Sequence, residues 1–183
     1  MKSAVVVLHD AFSSSELQAI EEYGDRLTLQ KAALQARGAD DDAIRISRVA
    51  RIAPGPETKA LFDRIAQVVQ RLNQDNYRFD VRGLENLQYS VYHGAEGAHY
   101  TWHVDYAPDN PTPRKLSLSI QLSDAASYEG CDLQFQMSGQ VSVAPRRRGA
   151  VICFPSFVLH RVTPIVSGTR KALVVWATGP DFR

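Results

Sequence analysis

The residues with the clearest chemical potential are two histidines and one aspartate, His103, Asp105 and His160. His103 and Asp105 fall two positions apart on a predicted strand, Ala98–Asp105, and side chains at positions i and i+2 of a strand point to the same face. His160 begins another predicted strand. Two imidazoles and one carboxylate form the facial ligand set of non-haem Fe(II) centres. The same set with a bound water also suits catalytic zinc. The residue types therefore predict a metal site and leave the metal open.

A fourth candidate, Arg170, stands ten residues after His160, where the last predicted strand begins beyond a predicted turn at Ser167–Gly168. A planar guanidinium binds a carboxylate through two parallel hydrogen bonds. If 2-oxoglutarate chelates the metal with its 1-carboxylate and 2-keto oxygen, Arg170 would bind the other, far carboxylate of that molecule. Trp176 lies an even number of residues beyond Arg170, so it is predicted to share the inward face of Arg170. A hydrolytic zinc site gives this arginine no role.

These side chains need a scaffold that directs them to one place. After residue 87 the periodicity changes from helical to strand-like. The predicted strands are Leu87–His93, Ala98–Asp105, Lys115–Leu122, Asp132–Gln136, Val141–Ala144, Ala150–Phe154, His160–Val166 and Lys171–Ala177. Two helices are predicted before them, one starting at Ser13–Ser15 and one over Pro56–Asn73. The pattern favours a mainly β fold, a β-barrel or jelly roll buttressed by N-terminal helices.

Several motifs follow one another in the second half of the chain. They include Tyr92-His-Gly, Tyr100-Thr-Trp-His103-Val-Asp105, His160-Arg-Val-Thr-Pro164 and Thr169-Arg170-Lys-Ala-Leu-Val-Val-Trp176. With these motifs the sequence resembles the prolyl 4-hydroxylase-like branch of the Fe(II)/2-oxoglutarate-dependent oxygenase superfamily. The resemblance implies a double-stranded β-helix, Fe(II), 2-oxoglutarate and O₂, with ascorbate as a stimulant of turnover and with succinate and CO₂ as coproducts.

The resemblance also implies roles for individual residues. It assigns the metal to His103, Asp105 and His160, and the cosubstrate to Arg170 and Tyr92. Some relatives have a tyrosine on the third strand. The nearest position here holds Gln121, so an amide or a hydroxyl such as Ser119 is expected to assist the arginine.

A further group is expected to face the substrate, and it comprises Tyr100, Arg45, Arg48 and Trp176. Because related halogenases replace the carboxylate ligand with a small residue, Asp105 favours hydroxylation.

Composition sets the broad class. The chain has 183 residues, 44% of them hydrophobic, and a net charge of +1. We expect one domain over 1–183, with helical support and a substrate-facing segment in 1–86 and the β-helix core in 87–179. The near-neutral charge gives no indication of nucleic acid, and no apolar run is long enough for a membrane span. Two cysteines are too few for a disulfide framework, which suits a cytoplasmic protein.

The leading hypothesis is hydroxylation of an unactivated C–H, on a peptidyl or free amino-acid side chain such as proline. An oxygenase acting on another small molecule, a zinc hydrolase and a non-catalytic metal-binding barrel stay open as alternatives. Substrate selection is expected from Arg37–Ala53 and Ala107–Arg114, which contain two predicted mobile loops, Arg37–Asp42 and Ala107–Arg114. Oligomeric state stays open.

Overall fold

The computed structural model describes residues 4–32, 42–107 and 110–182. The first half of these residues forms β1 (Val6–Leu8), α1 (Ser14–Asp25), β2 (Gln30–Lys31), β3 (Arg45–Ile46), β4 (Arg48–Ile52), α2 (Lys59–Leu72) and β5 (Gly83–Leu84). The second half forms β6 (Leu87–His93), β7 (His99–His103), β8 (Arg114–Gln121), β9 (Tyr128–Gly130), β10 (Leu133–Met137), β11 (Gln140–Val143), β12 (Val151–Pro155), β13 (Leu159–Val162) and β14 (Ile165–Thr178).

The strands make two antiparallel sheets. The larger has the order β1-β12-β8-β14-β6-β4-β2, and β5 and β9 also pair with β14. The smaller has the order β11-β10-β13-β7-β3. The non-sequential strand order is that of a jelly roll, so the predicted mainly β barrel with supporting helices is confirmed.

Strand alternation gives the large sheet two different faces. On β6, Leu87, Tyr89 and Val91 join the hydrophobic core that also contains residues of α1 and α2. The intervening residues, Gln88, Ser90 and Tyr92, point to the other face and into the space between the sheets. A second core of aromatic and aliphatic side chains closes one part of that space. The remaining inner face is polar, and it holds the candidate site.

The two long helices follow the predicted positions, with one boundary shift. Ser13 caps α1 in a capping box: the backbone N–H of Glu16 donates to Ser13 Oγ at 3.2 Å, and the backbone N–H of Ser13 donates to Glu16 Oε2 at 2.7 Å. The second helix begins at Lys59 instead of Pro56, because the Thr58 N–H closes a turn onto the Gly55 carbonyl. The first three residues of the predicted helix therefore belong to a turn.

Other differences from the predicted elements affect the site. The strand that carries His103 ends there, and Asp105 lies beyond it, where its backbone N–H donates to the Ser156 carbonyl at 2.9 Å. The predicted turn at Ser167–Gly168 is part of β14. Gly168 has a φ of 76° inside that strand, and a Cβ there would overlap the Ser127 carbonyl oxygen. The first half is also not only helical, because it adds β1 to β5 to the two sheets.

Of the predicted mobile loops, 37–41 and 108–109 lie outside the described residues. Cys131 and Cys153 are free and buried. None of the helices in the described ranges has the length and apolar character needed to span a membrane.

Candidate active site

The metal-ligand candidates converge between the sheets. His103 and His160 are direct partners across β7 and β13. The Asp105 carboxylate reaches both: Oδ1 lies 3.7 Å from His103 Nε2, and Oδ2 lies 3.6 Å from His160 Nε2. The three ligand atoms all lie within 4.8 Å of one another, and no other such cluster of His, Cys, Asp or Glu occurs in the described part of the chain. The arrangement fits a single metal ion.

Both imidazoles present Nε2 to this point because Nδ1 is engaged elsewhere. His103 Nδ1 lies 2.7 Å from the Thr101 carbonyl oxygen, and His160 Nδ1 lies 2.9 Å from the Val158 carbonyl oxygen. A carbonyl oxygen only accepts, so Nδ1 carries the proton and Nε2 keeps its lone pair. Burial, with repulsion from His160, lowers the pKa of His103 to about 3. That imidazole is therefore neutral near pH 7 and ready to bind a metal.

The Asp105 carboxylate is held as an anion by its neighbours. Burial pushes the pKa of this carboxyl group up, but the two imidazoles and the Ser117 hydroxyl outweigh that effect, so its pKa lies below the usual value. Ser117 Oγ donates to Asp105 Oδ2 at 2.7 Å and lies 3.0 Å from Ser156 Oγ. A carboxylate with two imidazole nitrogens is the donor set that suits Fe(II).

We expect Ser117→Ala to weaken Fe(II) binding about 10–100-fold while the fold survives, because outer hydrogen bonds orient metal ligands. Anaerobic Fe(II) titration measures the change. Ser90→Ala is the matched control, since Ser90 is also fully buried and accepts a hydrogen bond from Gln88 instead of supporting a ligand. Equal Fe(II) affinity in Ser117→Ala and the parent would contradict this role.

Arg170 is a buried guanidinium on the same cavity, with 2% of its surface exposed. Its Nε and Nη2 groups both donate to Gln121 Oε1, at 3.1 Å and 2.9 Å. The Tyr92 ring lies 5.4 Å from its central carbon. Within the described residues no carboxylate pairs with it. A buried charge without an opposite charge is costly, so the arrangement favours an anionic ligand at Arg170.

Of the three residues expected to assist Arg170, two line the cavity and one does not. Tyr92 and Ser119 line the cavity. Gln121 is not among the residues that line the cavity, and it orients the arginine by accepting two hydrogen bonds from one edge of the guanidinium. Tyr128 and Cys131 also interact with the guanidinium, and sequence reasoning missed both as site residues.

Two aromatic residues expected to face the substrate also line the cavity. The Tyr100 ring stacks on His103 with a centroid separation of 3.4 Å. Trp176 does share the inward face of Arg170, and its buried indole N–H faces Asp105 without forming a hydrogen bond. Both aromatic rings therefore adjoin the metal-ligand cluster.

The arginines do not all lie where the sequence suggested. Arg45 lines the cavity, but Arg48 does not. Arg48 is paired across β4 and β6 with Val91, on the helix-facing side of the sheet, and its Nε donates to Glu96 at 2.8 Å. The expectation that Arg48 faces the substrate is therefore corrected. Arg51 occupies the cavity side instead, because its cross-strand partner is Gln88. Alternation along β4 indicates that Arg48 and Arg51 point to opposite faces, but not which of them faces the cavity.

Arg114 is a further cavity residue that the sequence did not single out. Its Nε and Nη2 groups donate to the two carboxylate oxygens of Glu85, each at 2.7 Å, and its guanidinium lies 3.8 Å from the Trp176 ring centroid. The pair is long-range and depends on β5 joining the sheet, so no local pattern could have indicated it. The whole cavity has a volume of about 290 Å³.

Comparison with known sequences identifies the family. A profile described as "2OG-Fe(II) oxygenase superfamily" matches residues 87–178. A PKHD-type hydroxylase of Synechococcus sp. (strain CC9605) is 40% identical over 87 residues, which cover 47% of this chain and 39% of that protein. Another of Shewanella baltica (strain OS185) is 37% identical over 93 residues, covering 48% of this chain and 40% of that protein. The chain thus spans about two fifths of the length of these relatives.

Solved structures share the fold at low identity. A Pseudomonas putida prolyl-4-hydroxylase has a TM-score of 0.79 at 18% identity, covering 96% of this chain and 93% of that one. A prolyl hydroxylase from Trichoplax adhaerens, solved with a hypoxia inducible factor peptide fragment, has a TM-score of 0.78 at 19% identity, covering 96% and 83%. Since the profile matches half of the sequence and includes His103, Asp105, His160 and Arg170, the chain belongs to the 2OG-Fe(II) oxygenase superfamily.

Proposed function

We propose that this chain is an Fe(II)- and 2-oxoglutarate-dependent dioxygenase that hydroxylates an unactivated C–H. One observation carries the proposal: a fully buried guanidinium, Arg170, without a described carboxylate partner, lines the same cavity as a His₂Asp cluster. A metal site alone would not need this cation. A dicarboxylate that chelates the metal at one end and meets the arginine at the other accounts for both features.

In this proposal the residues of the chain bind and orient. Nε2 of His103, Nε2 of His160 and the carboxylate of Asp105 hold the iron, and Ser117 fixes the carboxylate. When bound, Fe(II) with 2-oxoglutarate and O₂ supplies the oxidising chemistry, with succinate and CO₂ as coproducts. Arg170, held on one edge by Gln121, offers its remaining N–H donors to the far carboxylate of 2-oxoglutarate.

The other cavity residues assist that binding. Tyr92 and Ser119 complete the cosubstrate pocket in this proposal. Apolar side chains exclude water from the inner cavity, and they include Leu133, Phe154, Val162 and Val174. Exclusion of water strengthens the electrostatic contacts of the cosubstrate.

For the substrate we propose an amino-acid side chain, free or within a peptide, such as proline. Support comes from the prolyl hydroxylases among the similar folds, one of them solved with a peptide fragment. Another small molecule is the second candidate, because a carbocyclase of nogalamycin biosynthesis has the same fold with a TM-score of 0.70 at 14% identity. We further propose a cytoplasmic location and one domain over residues 1–183, with the β-helix core in 87–179.

The test is succinate formation by the purified chain with Fe(II), 2-oxoglutarate, ascorbate and O₂, with and without candidate peptides. We expect succinate only when Fe(II), 2-oxoglutarate and O₂ are all present, and none when Zn(II) replaces Fe(II). Hydrolysis of an ester or amide by the Zn(II) protein, without 2-oxoglutarate turnover in the Fe(II) protein, would favour the zinc hydrolase. Neither activity, with metal binding retained, would favour a binding module.

A further inference from the structure

Two arginines at the cavity have aromatic partners but no salt bridge to a carboxylate in the described part of the chain. Arg45 is 9% exposed, its guanidinium lies 4.6 Å from the Tyr100 ring centroid, and its Nε donates to Ser47 Oγ at 2.8 Å. The Arg51 guanidinium lies 5.0 Å from the Trp176 ring centroid. Partial burial, together with repulsion from Arg114 and Arg45, outweighs the attraction to Glu85 and lowers the pKa of Arg51. Cationic charge is therefore concentrated on one side of the cavity.

The positive and negative charges of the other groups in the cavity balance without Arg45 and Arg51. Four arginines and one carboxylate line it. Arg114 is neutralised by Glu85 through two hydrogen bonds. An Fe(II) ion, the Asp105 carboxylate, a 2-oxoglutarate dianion and Arg170 together carry no net charge. The positive charges of Arg45 and Arg51 remain unbalanced, and negative charge on the ligand would offset them.

We infer that the substrate presents a carboxylate to Arg45 and Arg51, supplied either by an acidic side chain or by the free carboxyl end of a peptide or amino acid. This inference rests on the proposed function and names the substrate class of the same site. Planar guanidinium groups suit carboxylates, and stacking on aromatic rings fixes their orientation before the ligand arrives. Tyr100 also stacks on His103, so the carboxylate site lies one aromatic side chain away from the metal ligands.

The test is affinity selection by the anaerobic full chain loaded with Fe(II) and 2-oxoglutarate. Two randomised tetrapeptide libraries serve as probes, one with a free C-terminal carboxylate and one amidated. We expect bound peptides to be enriched in Asp and Glu if a side chain supplies the carboxylate, or to come from the free-acid library if the chain end does. The selected peptide and its Asn, Gln or amidated counterpart are then compared by titration, where the acid should bind about 10–100-fold more tightly.

Substitutions test whether the preference for a carboxylate depends on Arg45 and Arg51. Arg45→Gln and Arg51→Gln should each remove most of the acid preference. Arg48→Gln, from the same segment but on the helix-facing side of the sheet, should leave it unchanged. All three should bind 2-oxoglutarate as the parent does, because the cosubstrate is assigned to Arg170.

The outcomes separate this inference from the proposed function. A parent protein that does not bind 2-oxoglutarate refutes the proposed function and this inference with it. A parent that binds 2-oxoglutarate but prefers neither acidic side chains nor a free carboxyl end, or retains no peptide, refutes this inference alone. Loss of 2-oxoglutarate binding in Arg45→Gln would also overturn it, because that arginine would then serve the cosubstrate.

Discussion

Alanine at His103, Asp105 or His160 is expected to abolish 2-oxoglutarate turnover while the fold survives. Each substitution removes one of the three proposed protein ligands. The loss of Fe(II) affinity should therefore exceed the 10–100-fold typical of outer-shell changes. Succinate assays and anaerobic Fe(II) titration measure the two effects, and circular dichroism checks the fold.

The chain offers a matched control for these substitutions. His99 lies on β7 like His103, but it is not among the residues that line the cavity, and its Nδ1 contacts the Gly97 carbonyl oxygen at 3.1 Å. His99→Ala should keep Fe(II) affinity and turnover at the parent level. Succinate production at the parent rate by any of the three ligand variants would refute the assignment of the triad.

Arg170→Ala should weaken 2-oxoglutarate binding at least about 10–100-fold, since a charge-assisted hydrogen bond contributes roughly 1.5–3 kcal/mol. The far carboxylate of the cosubstrate must leave water on entering the cavity, which is costly without a charged partner. Arg170→Lys keeps the charge but loses the planar fork, so its affinity should fall between those of the parent and Arg170→Ala. Iron affinity should change little, because Arg170 is not a ligand.

Titration of 2-oxoglutarate into the anaerobic Fe(II) protein, followed by the absorption band expected on chelation, gives these affinities. Arg161 provides the control, because its Nε also donates to a glutamine, Gln134 Oε1 at 2.9 Å, but it lies outside the cavity. Arg161→Ala should bind 2-oxoglutarate normally. Parent-like binding by Arg170→Ala would place the cosubstrate elsewhere and strengthen the zinc-hydrolase and binding-module alternatives.

The convergence of His103, Asp105 and His160 could be predicted because it depends on features that a sequence carries directly. Histidine and aspartate two positions apart are close enough to converge, although Asp105 lies beyond the end of β7, and His160 lies on a strand that pairs with β7. The shared inward face of Arg170 and Trp176 could be predicted because the two residues lie an even number of positions apart on one strand. Similarly, Ser13 and Glu16 indicated the first helix through a local capping pattern.

What could not be predicted depends on partners far away in the sequence. Strands as short as β2 or β5 have no periodicity of their own and exist because β4 and β14 pair with them. The continuation of β14 through Gly168 depends on the Ser127 carbonyl packing against a position without a side chain. The direction of Arg48 likewise became clear only from its pairing with Val91.

The most direct test of the central claim is a crystal structure of the chain grown anaerobically with Fe(II) and 2-oxoglutarate, with anomalous data collected at the iron edge. We expect one iron bound by Nε2 of His103, Nε2 of His160 and the carboxylate of Asp105. The 2-oxoglutarate should chelate that iron and pair its far carboxylate with Arg170. Iron bound by other residues, or a 2-oxoglutarate whose far carboxylate lies away from Arg170, would contradict the proposed site.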